Sequence, residues 1–161
     1  MRKLPTIHPF LWFDNEAEEA AEFYVSVFPN SEIQTVIRME SAPSPEDGVV
    51  IVTFVLDGMK LQALNGGPTK FKFNESVSLL VWVETQAEID HLWERLTADG
   101  GVPGQSGWLK DKYGLSWQII PLGIDELLTD PDMDRANRVM QALLVMSKLN
   151  IAELHAAADA R

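Results

Sequence analysis

Hydrophobic and polar residues alternate with two different periods along the chain, and the changes of period predict its secondary structure. Residues 7–13 are rich in aromatic and aliphatic side chains, which is typical of a strand. In residues 16–28 the apolar positions recur every three or four residues, which is the period of an amphipathic helix. Three further strand-like runs follow, and the favoured hairpin turn Asp57-Gly58 separates the last two. These runs are residues 33–39, 49–56 and 59–64. The first half is therefore predicted to be β-α-β-β-β.

The second half repeats this order in a shorter form. Residues 78–83 form a strand-like run, residues 86–97 have a helical period, and residues 117–121 form a final strand. The apolar periodicity then becomes helical again up to the end of the chain. Two C-terminal helices are predicted, at residues 132–146 and roughly 150–159.

An internal duplication accounts for this repetition. With a shift of 70 residues, Phe10-Leu11-Trp12-Phe13-Asp14 lies over Leu80-Val81-Trp82-Val83-Glu84. With a shift of 56 residues, Leu61-Gln62 lies over Trp117-Gln118. The second half is thus shorter by 14 residues, a difference that the Ser- and Pro-rich loop at residues 41–48 can absorb. We therefore predict two β-α-β-β-β modules related by a pseudo-twofold axis.

Alternation along the strands brings polar and aromatic side chains to one face of each module, where they would line a concavity. Alternate residues of a strand share a face, so His8 points with Phe10 and Trp12, whereas Leu11 and Phe13 point towards the module helix. The predicted ligand-facing residues are Phe10, Trp12, Gln62, Leu64, Ser78, Leu80, Trp82 and Gln118. Tryptophans on strands are more often core residues than ligand contacts, and that alternative stays open for Trp12, Trp82 and Trp117.

Composition and charge narrow the range of partners. The 161 residues have single-domain length and include no cysteine, which excludes disulfides, thiolate metal sites and thiol nucleophiles. The 13 basic and 24 acidic residues give a net charge of −11, which disfavours nucleic acid and anionic membranes and favours a neutral or cationic ligand. No apolar run approaches the ~18 residues of a membrane span, and residues 1–5 lead into no apolar stretch of a signal peptide. A cytoplasmic location is predicted.

Several motifs resemble one known family. They are Pro9-Phe10-Leu11-Trp12-Phe13-Asp14, Ala63-Leu64-Asn65-Gly66-Gly67-Pro68, Phe71-Lys72-Phe73-Asn74-Glu75, Gly107-Trp108-Leu109-Lys110-Asp111-Lys112-Tyr113-Gly114 and Asp130-Pro131-Asp132. The pattern is similar to the PhnB-like family, whose members often carry the name 3-demethylubiquinone-9 3-methyltransferase. This family is a branch of the vicinal oxygen chelate superfamily, which includes glyoxalase I, the bleomycin-resistance proteins and the extradiol dioxygenases.

The resemblance implies the fold of that superfamily and a homodimer. The fold class is α+β, with two βαβββ modules and a C-terminal helical extension. We expect one domain over residues 1–123, with module one at about 5–68 and module two at about 75–122, followed by the extension at 124–161. Because superfamily members commonly place modules together across a dimer, we expect a homodimer.

A divalent metal is a candidate cofactor, because metal-dependent relatives take their ligands from the positions of His8, Gln62, Ser78 and Gln118. Of these, His8 alone is a strong ligand, and the amide oxygens of Gln62 and Gln118 complete a weak candidate set. No carboxylate is present to balance the metal's charge. His8 is also the candidate catalytic residue, as a general base, and the alternative is a histidine hydrogen-bonded within the core.

Two functions of different classes are favoured, and a third, a non-catalytic role in protein interaction through the C-terminal helices, has the least support. The first is a small-molecule binding protein with an aromatic-lined cavity, at most a weak metal site, and a cationic or aromatic ligand. The second is a metal-dependent enzyme of isomerase, lyase or dioxygenase type, centred on His8, Gln62 and Gln118. Methyltransferase activity is not expected, since Asn65-Gly66-Gly67-Pro68 follows a strand but presents no helix N-terminus to a cofactor.

Overall fold

Each half of the chain forms its own four-stranded sheet. The structure, a computed structural model, describes residues 7–39 and 49–160. The predicted loop at 41–48 and the N-terminal residues 1–5 lie outside the described residues. The chain divides into two units, Met1–Phe71 and Lys72–Arg161.

The first unit contains the predicted β-α-β-β-β order. Its elements are β1 (Phe10–Phe13), α1 (Ala17–Val27), β2 (Glu32–Met39), β3 (Val49–Leu56) and β4 (Met59–Asn65). The strands are arranged in the order β1-β4-β3-β2, in which β1 runs parallel to β4 and the other neighbours are antiparallel. The predicted first strand is shorter than expected, because regular pairing starts at Phe10, although the Pro9 carbonyl still accepts a hydrogen bond from the Gln62 amide at 3.1 Å.

The turn and the helix start of this unit have local causes. Asp57 and Gly58 both have positive φ, 43° and 83°, which gives the hairpin between β3 and β4 the twist of a type I′ turn. At the start of α1 the side chain of Glu16 makes no capping bond. Instead the Asn65 side chain, at the end of β4, accepts a hydrogen bond from the Ala17 amide at 2.7 Å. The last residue of the sheet thus caps the helix that packs on it.

The core of the first unit lies between α1 and one face of its sheet. Small residues of α1 allow the helix to lie close to the sheet. The Tyr24 ring of α1 stacks on Phe54 of β3, with ring centres 6.4 Å apart. Leu11 and Phe13 are buried here, as predicted from the alternation. Other buried apolar residues of the first unit are Ala17, Ala20, Ala21, Val27, Phe28, Val50, Val52, Leu56, Leu61 and Ala63.

The second unit repeats the arrangement. Its elements are β5 (Ser78–Val83), α2 (Gln86–Thr97), β6 (Val102–Pro103), β7 (Trp108–Lys110) and β8 (Ser116–Pro121). The strand order is β5-β8-β7-β6, and β5 runs parallel to β8 as β1 does to β4. The ends of β5 and α2 coincide with those predicted. The α+β class with two βαβββ modules is therefore confirmed.

A buried carboxylate organises the turn from β7 to β8. Asp111 accepts hydrogen bonds from the backbone amides of Tyr113 and Leu115, at 2.9 and 3.0 Å, and from Nε1 of Trp117 at 2.8 Å. The Trp117 ring is fully enclosed in the core. Of the two alternatives that the sequence left open for this tryptophan, the structure shows the core residue.

Three C-terminal helices belong to the second unit. They are α3 (Ile124–Leu128), α4 (Met133–Val145) and α5 (Ile151–Asp159), of which α3 was not located from the sequence. The segment between α4 and α5 lies along module two: the Ser106 and Gly107 amides donate to the carbonyls of Met146 and Ser147, at 2.7 and 2.9 Å. Leu149 of this segment is completely buried. No helix in the described part of the chain has the length and apolarity needed to cross a membrane.

Candidate functional site

The sheet face opposite the module helix carries the predicted ligand-facing residues in both units. In the first unit Phe10 pairs with Gln62 and Trp12 with Leu64. We call these four residues, together with Thr53 of β3, the open face of module one. Phe10 and Trp12 are 52% and 37% exposed, whereas Leu11 and Phe13 between and after them are buried. The alternation thus separates an exposed aromatic set from the core set.

The second unit has a matching face. Leu80 pairs with Gln118 and Trp82 with Ile120, and these residues with Ser78 form the open face of module two. The pairing Phe10 with Gln62 becomes Leu80 with Gln118, so the shifts of 70 and 56 residues read from the sequence describe the strand register as well. Leu80 and Trp82 are 43% and 47% exposed.

A hydrogen-bonded chain of three polar side chains crosses the open face of module one. His8 Nε2 lies 3.0 Å from Gln62 Oε1, and Gln62 Nε2 donates to Thr53 Oγ1 at 3.0 Å. Thr53 is buried and stands directly opposite Gln62 in the pairing of β3 with β4. The other ring nitrogen of His8, Nδ1, is enclosed and has no hydrogen-bond partner among the described residues.

Thr53 was missed by the sequence reasoning. Its signal lies in the alternation of β3, which places Thr53 on the face opposite the core residues Val52 and Phe54. Which residue of β3 stands beside Gln62 depends on the register of the hairpin, and that follows from the two-residue turn at Asp57-Gly58.

Module two contains a simpler polar pair. Gln118 Nε2 donates to Ser78 Oγ at 2.8 Å. On the other side of Gln118, its paired residue on β7 is Trp108, which offers no hydroxyl. The equivalents of His8 and Gln62 are thus hydrogen-bonded to each other, but this pair has no ionisable group.

Trp12 is held by the glycines that follow β4. A Cβ atom built on Gly66 would lie 2.1 Å from Cζ2 of the Trp12 ring, so only a glycine leaves room for the indole. Trp12 Nε1 donates to the Gly67 carbonyl at 3.1 Å. Phe71 contacts the same ring edge-on, with ring centres 5.5 Å apart and an interplanar angle of 79°. From the sequence, residues 71–74 are either a segment that closes over the cavity or a linker between the modules, and the structure adds Phe71 to the aromatic group of module one.

The residues of the open faces do not fit a firmly held divalent cation. The candidate donors are an imidazole, two amides and a hydroxyl, and each is already hydrogen-bonded to its partner in the same module. Within residues 7–39 and 49–160, no three His, Asp or Glu side chains converge in a group that could hold a metal ion. A divalent cation that loses its hydration shell needs charged or strongly donating ligands.

Three carboxyl groups of the second unit have lowered pKa values. A hydrogen bond from the Lys110 side chain lowers the pKa of Glu75. The backbone amide of Thr85 lowers the pKa of Glu88, which forms a capping box at the start of α2. A hydrogen bond from the Lys148 ammonium lowers the pKa of Asp90. These groups serve helix capping and surface pairing.

Comparison with known proteins identifies the family. A family model described as 3-demethylubiquinone-9 3-methyltransferase matches residues 5–120. The chain belongs to this family. The match includes every strand of both open faces, and the helices α3, α4 and α5 follow it in the chain. No curated protein matches the chain.

Solved structures place the family in the vicinal oxygen chelate superfamily. The PhnB protein from Bacillus cereus is 36% identical with a TM-score of 0.67, over 73% of this chain and 99% of its own. A fosfomycin resistance protein, FosX, from Listeria monocytogenes, solved with Mn(II) and sulfate ion, is 15% identical with a TM-score of 0.56, over 80% of this chain and 100% of its own. The likeness to FosX shows the fold alone. The family predicted from the motifs is therefore confirmed.

Proposed function

We propose that this chain is a small-molecule binding protein that takes a planar, aromatic or cationic ligand on the open face of module one. The observation that best supports this proposal is that the Trp12 side chain is both fixed in position and partly exposed. Its indole is fixed by Gly66, Gly67 and Phe71, yet the ring is more than a third exposed. A rigid, accessible aromatic ring loses little conformational entropy when a flat molecule stacks on it.

Charge favours a cationic ligand. The net charge of −11 gives the protein a negative potential that raises the local concentration of cations. Trp12, Phe71 and Phe10 add the aromatic faces to which a delocalised cation is attracted. His8 and Gln62 supply polar contacts at the edge of this aromatic group.

An NMR titration tests this proposal. The probes are N-methylquinolinium and its neutral counterpart quinoline, and the readout is the Trp12 indole N–H among the five tryptophan signals. Both probes should shift that signal, and the cation should bind more tightly at low salt. Trp12→Leu should weaken binding about tenfold or more, whereas Trp93→Leu on α2 should leave it unchanged. Probes that shift the buried Trp117 as much as Trp12 would contradict the proposal.

The metal-dependent enzyme is the second candidate, favoured only by the fold shared with the Mn(II)-bound FosX structure. Measuring the metal content of protein purified without chelator decides between the two. We expect less than stoichiometric metal, before and after addition of Mn²⁺, Zn²⁺, Ni²⁺ or Fe²⁺. Stoichiometric metal that is lost in His8→Ala would establish the metal site and overturn the purely binding function.

Methyl transfer, which the family name describes, is not supported by the fold. The glycine pair Gly66-Gly67 follows β4 but supports the Trp12 ring, and the described chain between this pair and β5 contains no helix. The arrangement that binds a nucleotide-type cofactor needs a helix N-terminus directly after such glycines.

The proposal extends to a homodimer. Three apolar side chains on one side of α4, Met133, Met140 and Leu144, are exposed in the single chain, which supports a partner subunit. Light scattering at micromolar concentration tests this point: a dimer mass is expected, and a monomer mass overturns it without affecting ligand binding.

A further inference from the structure

Gln62 stands at the centre of the polar chain on the open face of module one, and its neighbours hold it from both sides. It lies on β4, between β1 and β3 in the sheet. His8, two residues before β1, is hydrogen-bonded to the amide oxygen through Nε2. Thr53 of β3 accepts a hydrogen bond from the amide nitrogen. An amide fixed at both its oxygen and its nitrogen has one orientation and cannot rotate freely.

The direction of the hydrogen bonds follows from which groups remain unpaired. With Gln62 Oε1 towards His8, the imidazole donates from Nε2–H, and the enclosed Nδ1 is left as an unpaired acceptor. With the amide reversed, Nδ1 would carry a buried hydrogen with no acceptor among the described residues. Buried donors without partners are rarer in proteins than under-used acceptors. The first arrangement is therefore the more stable, and it makes His8 the Nε2–H tautomer.

The amide of Gln62 keeps two hydrogen-bonding positions for a ligand. A primary amide has two N–H hydrogens and two lone pairs on its oxygen. His8 takes one lone pair of the amide oxygen and Thr53 takes one amide hydrogen, from opposite sides of β4. One lone pair and one N–H of Gln62 therefore remain for a ligand.

From this geometry we infer that Gln62 is the ligand-recognising residue of the open face of module one, that His8 and Thr53 are its positioning residues, and that the ligand carries an adjacent hydrogen-bond donor and acceptor, as a lactam or carboxamide on a planar ring does. The inference rests on the proposed function and names its ligand class. A lactam edge offers one acceptor and one donor to the remaining N–H and lone pair of Gln62, and a ring fused to that edge would lie beside Phe10, the strand partner of Gln62.

The equivalent glutamine of module two, Gln118, is less constrained than Gln62. Gln118 has a partner on β5 but faces Trp108 on β7, so the hydrogen bond to Ser78 holds it from one side. In module one, Thr53 is hydrogen-bonded to Gln62 on the side where Gln118 of module two faces Trp108.

Two planar probes that differ by one methyl group test the inference. They are isoquinolin-1(2H)-one, a lactam with adjacent N–H and C=O, and its N-methyl derivative, which has lost the donor. Calorimetry and the Trp12 indole signal give both affinities. The wild type should bind the lactam about tenfold more tightly than the methylated compound. In Thr53→Val and Gln62→Met that preference should fall towards one, while binding of the methylated compound changes less than about twofold.

Matched controls keep the result specific. Thr35→Val removes the hydroxyl paired with Thr53 on the neighbouring strand, and Gln34→Met removes an exposed amide of β2. Both should keep the tenfold preference. Equal affinity of the wild type for the two probes would overturn the inference and leave the proposed function standing. If neither lactam probe shifts the Trp12 signal at millimolar concentration while N-methylquinolinium does, the inference fails and the proposed function stands. If no planar probe shifts it, both fail.

A measurement without ligand tests the same geometry if Thr53→Val does not fold. Long-range ¹H–¹⁵N spectra of the wild type at alkaline pH distinguish the two tautomers of a neutral histidine. His8 should be Nε2–H, and Gln62→Met should change its tautomer ratio while His91 and His155, both exposed, stay the same. A predominantly Nδ1–H form of His8 would overturn the inference whatever the probes do.

Discussion

Gly66 decides the position of Trp12 because the indole occupies the space that any larger side chain would need. The closest ring atom is 2.1 Å from the place of a Cβ, well inside contact distance. The Nε1 bond to the Gly67 carbonyl and the edge contact with Phe71 then fix the ring in its plane. One missing side chain thus creates the aromatic surface on which the proposed function depends.

Gly66→Ala should therefore displace Trp12. The methyl group forces the indole off the sheet, which breaks its hydrogen bond to Gly67 and lowers the free energy of unfolding by about 1–3 kcal/mol. The affinity for N-methylquinolinium should fall about tenfold, and the Trp12 indole N–H should move towards the position of a solvent-exposed indole. An unchanged indole signal would show that the ring does not rest on Gly66.

The start of helix α1 is capped by a residue of strand β4, and the sequence around the helix start does not predict this cap. The helix begins after Glu16, whose own side chain makes no capping bond, and the cap comes from Asn65, 48 residues beyond Ala17. Sequence signals for helix starts are local, so a cap supplied by another element lies beyond them.

Asn65→Ala should accordingly destabilise the first unit by about 0.5–2 kcal/mol, the usual cost of losing a cap. Glu16→Ala, at the N-cap position itself, should cost less than about 0.5 kcal/mol. Urea denaturation of both variants checks this order. A larger effect for Glu16→Ala would mean that the helix is capped locally after all.

The sequence predicts features that depend on nearby residues, and it leaves open those that depend on contacts between distant residues. Periodicity predicts β5 and α2 residue for residue, because long runs average over local exceptions. It does not locate β6 and β7, which have two and three residues and lie beside Gly104 and Gly107. Within the site, alternation predicts that His8 and Gln62 share a face. It does not predict Thr53, whose role depends on cross-strand register.

Asp90 and Lys148 link α2 to the segment between α4 and α5, with Nζ and Oδ1 2.5 Å apart. The hydrogen bond lowers the pKa of Asp90 below its usual 3.8, so the pair stabilises the fold above that value and the contribution is lost as the pH falls through the lowered pKa. Asp90→Asn should reduce the urea midpoint slightly at pH ~7 and not at pH ~2. Equal effects at both pH values would contradict an ionic contribution.

At the scale of the whole chain, the C-terminal helices lie outside the family match and pack against module two. The Bacillus cereus PhnB protein is covered over 99% of its length by 73% of this chain, and the family model ends at residue 120. Yet the segment after α4 is tied to module two through the Gly104 carbonyl, which accepts from the Ser147 hydroxyl at 2.6 Å. Gln86 of α2 donates to the Leu149 carbonyl at 3.1 Å and accepts from the Ile151 amide at 2.9 Å.

The burial of Leu149 stabilises the packing of the segment between α4 and α5 on module two. Two leucine variants, one buried and one exposed, test this. Leu149 is completely buried, with its side chain against Gly107, whereas Leu122, which follows β8, is 54% exposed. Leu149→Ala should lower the free energy of unfolding by about 2–5 kcal/mol, and Leu122→Ala by less than about 0.5 kcal/mol. Hydrogen exchange of Leu149→Ala should quicken at the β7 and β8 amides as well as in the helices, because the extension and module two unfold together. Faster exchange in α4 and α5 alone would show that the extension folds separately and that module two is stable without it.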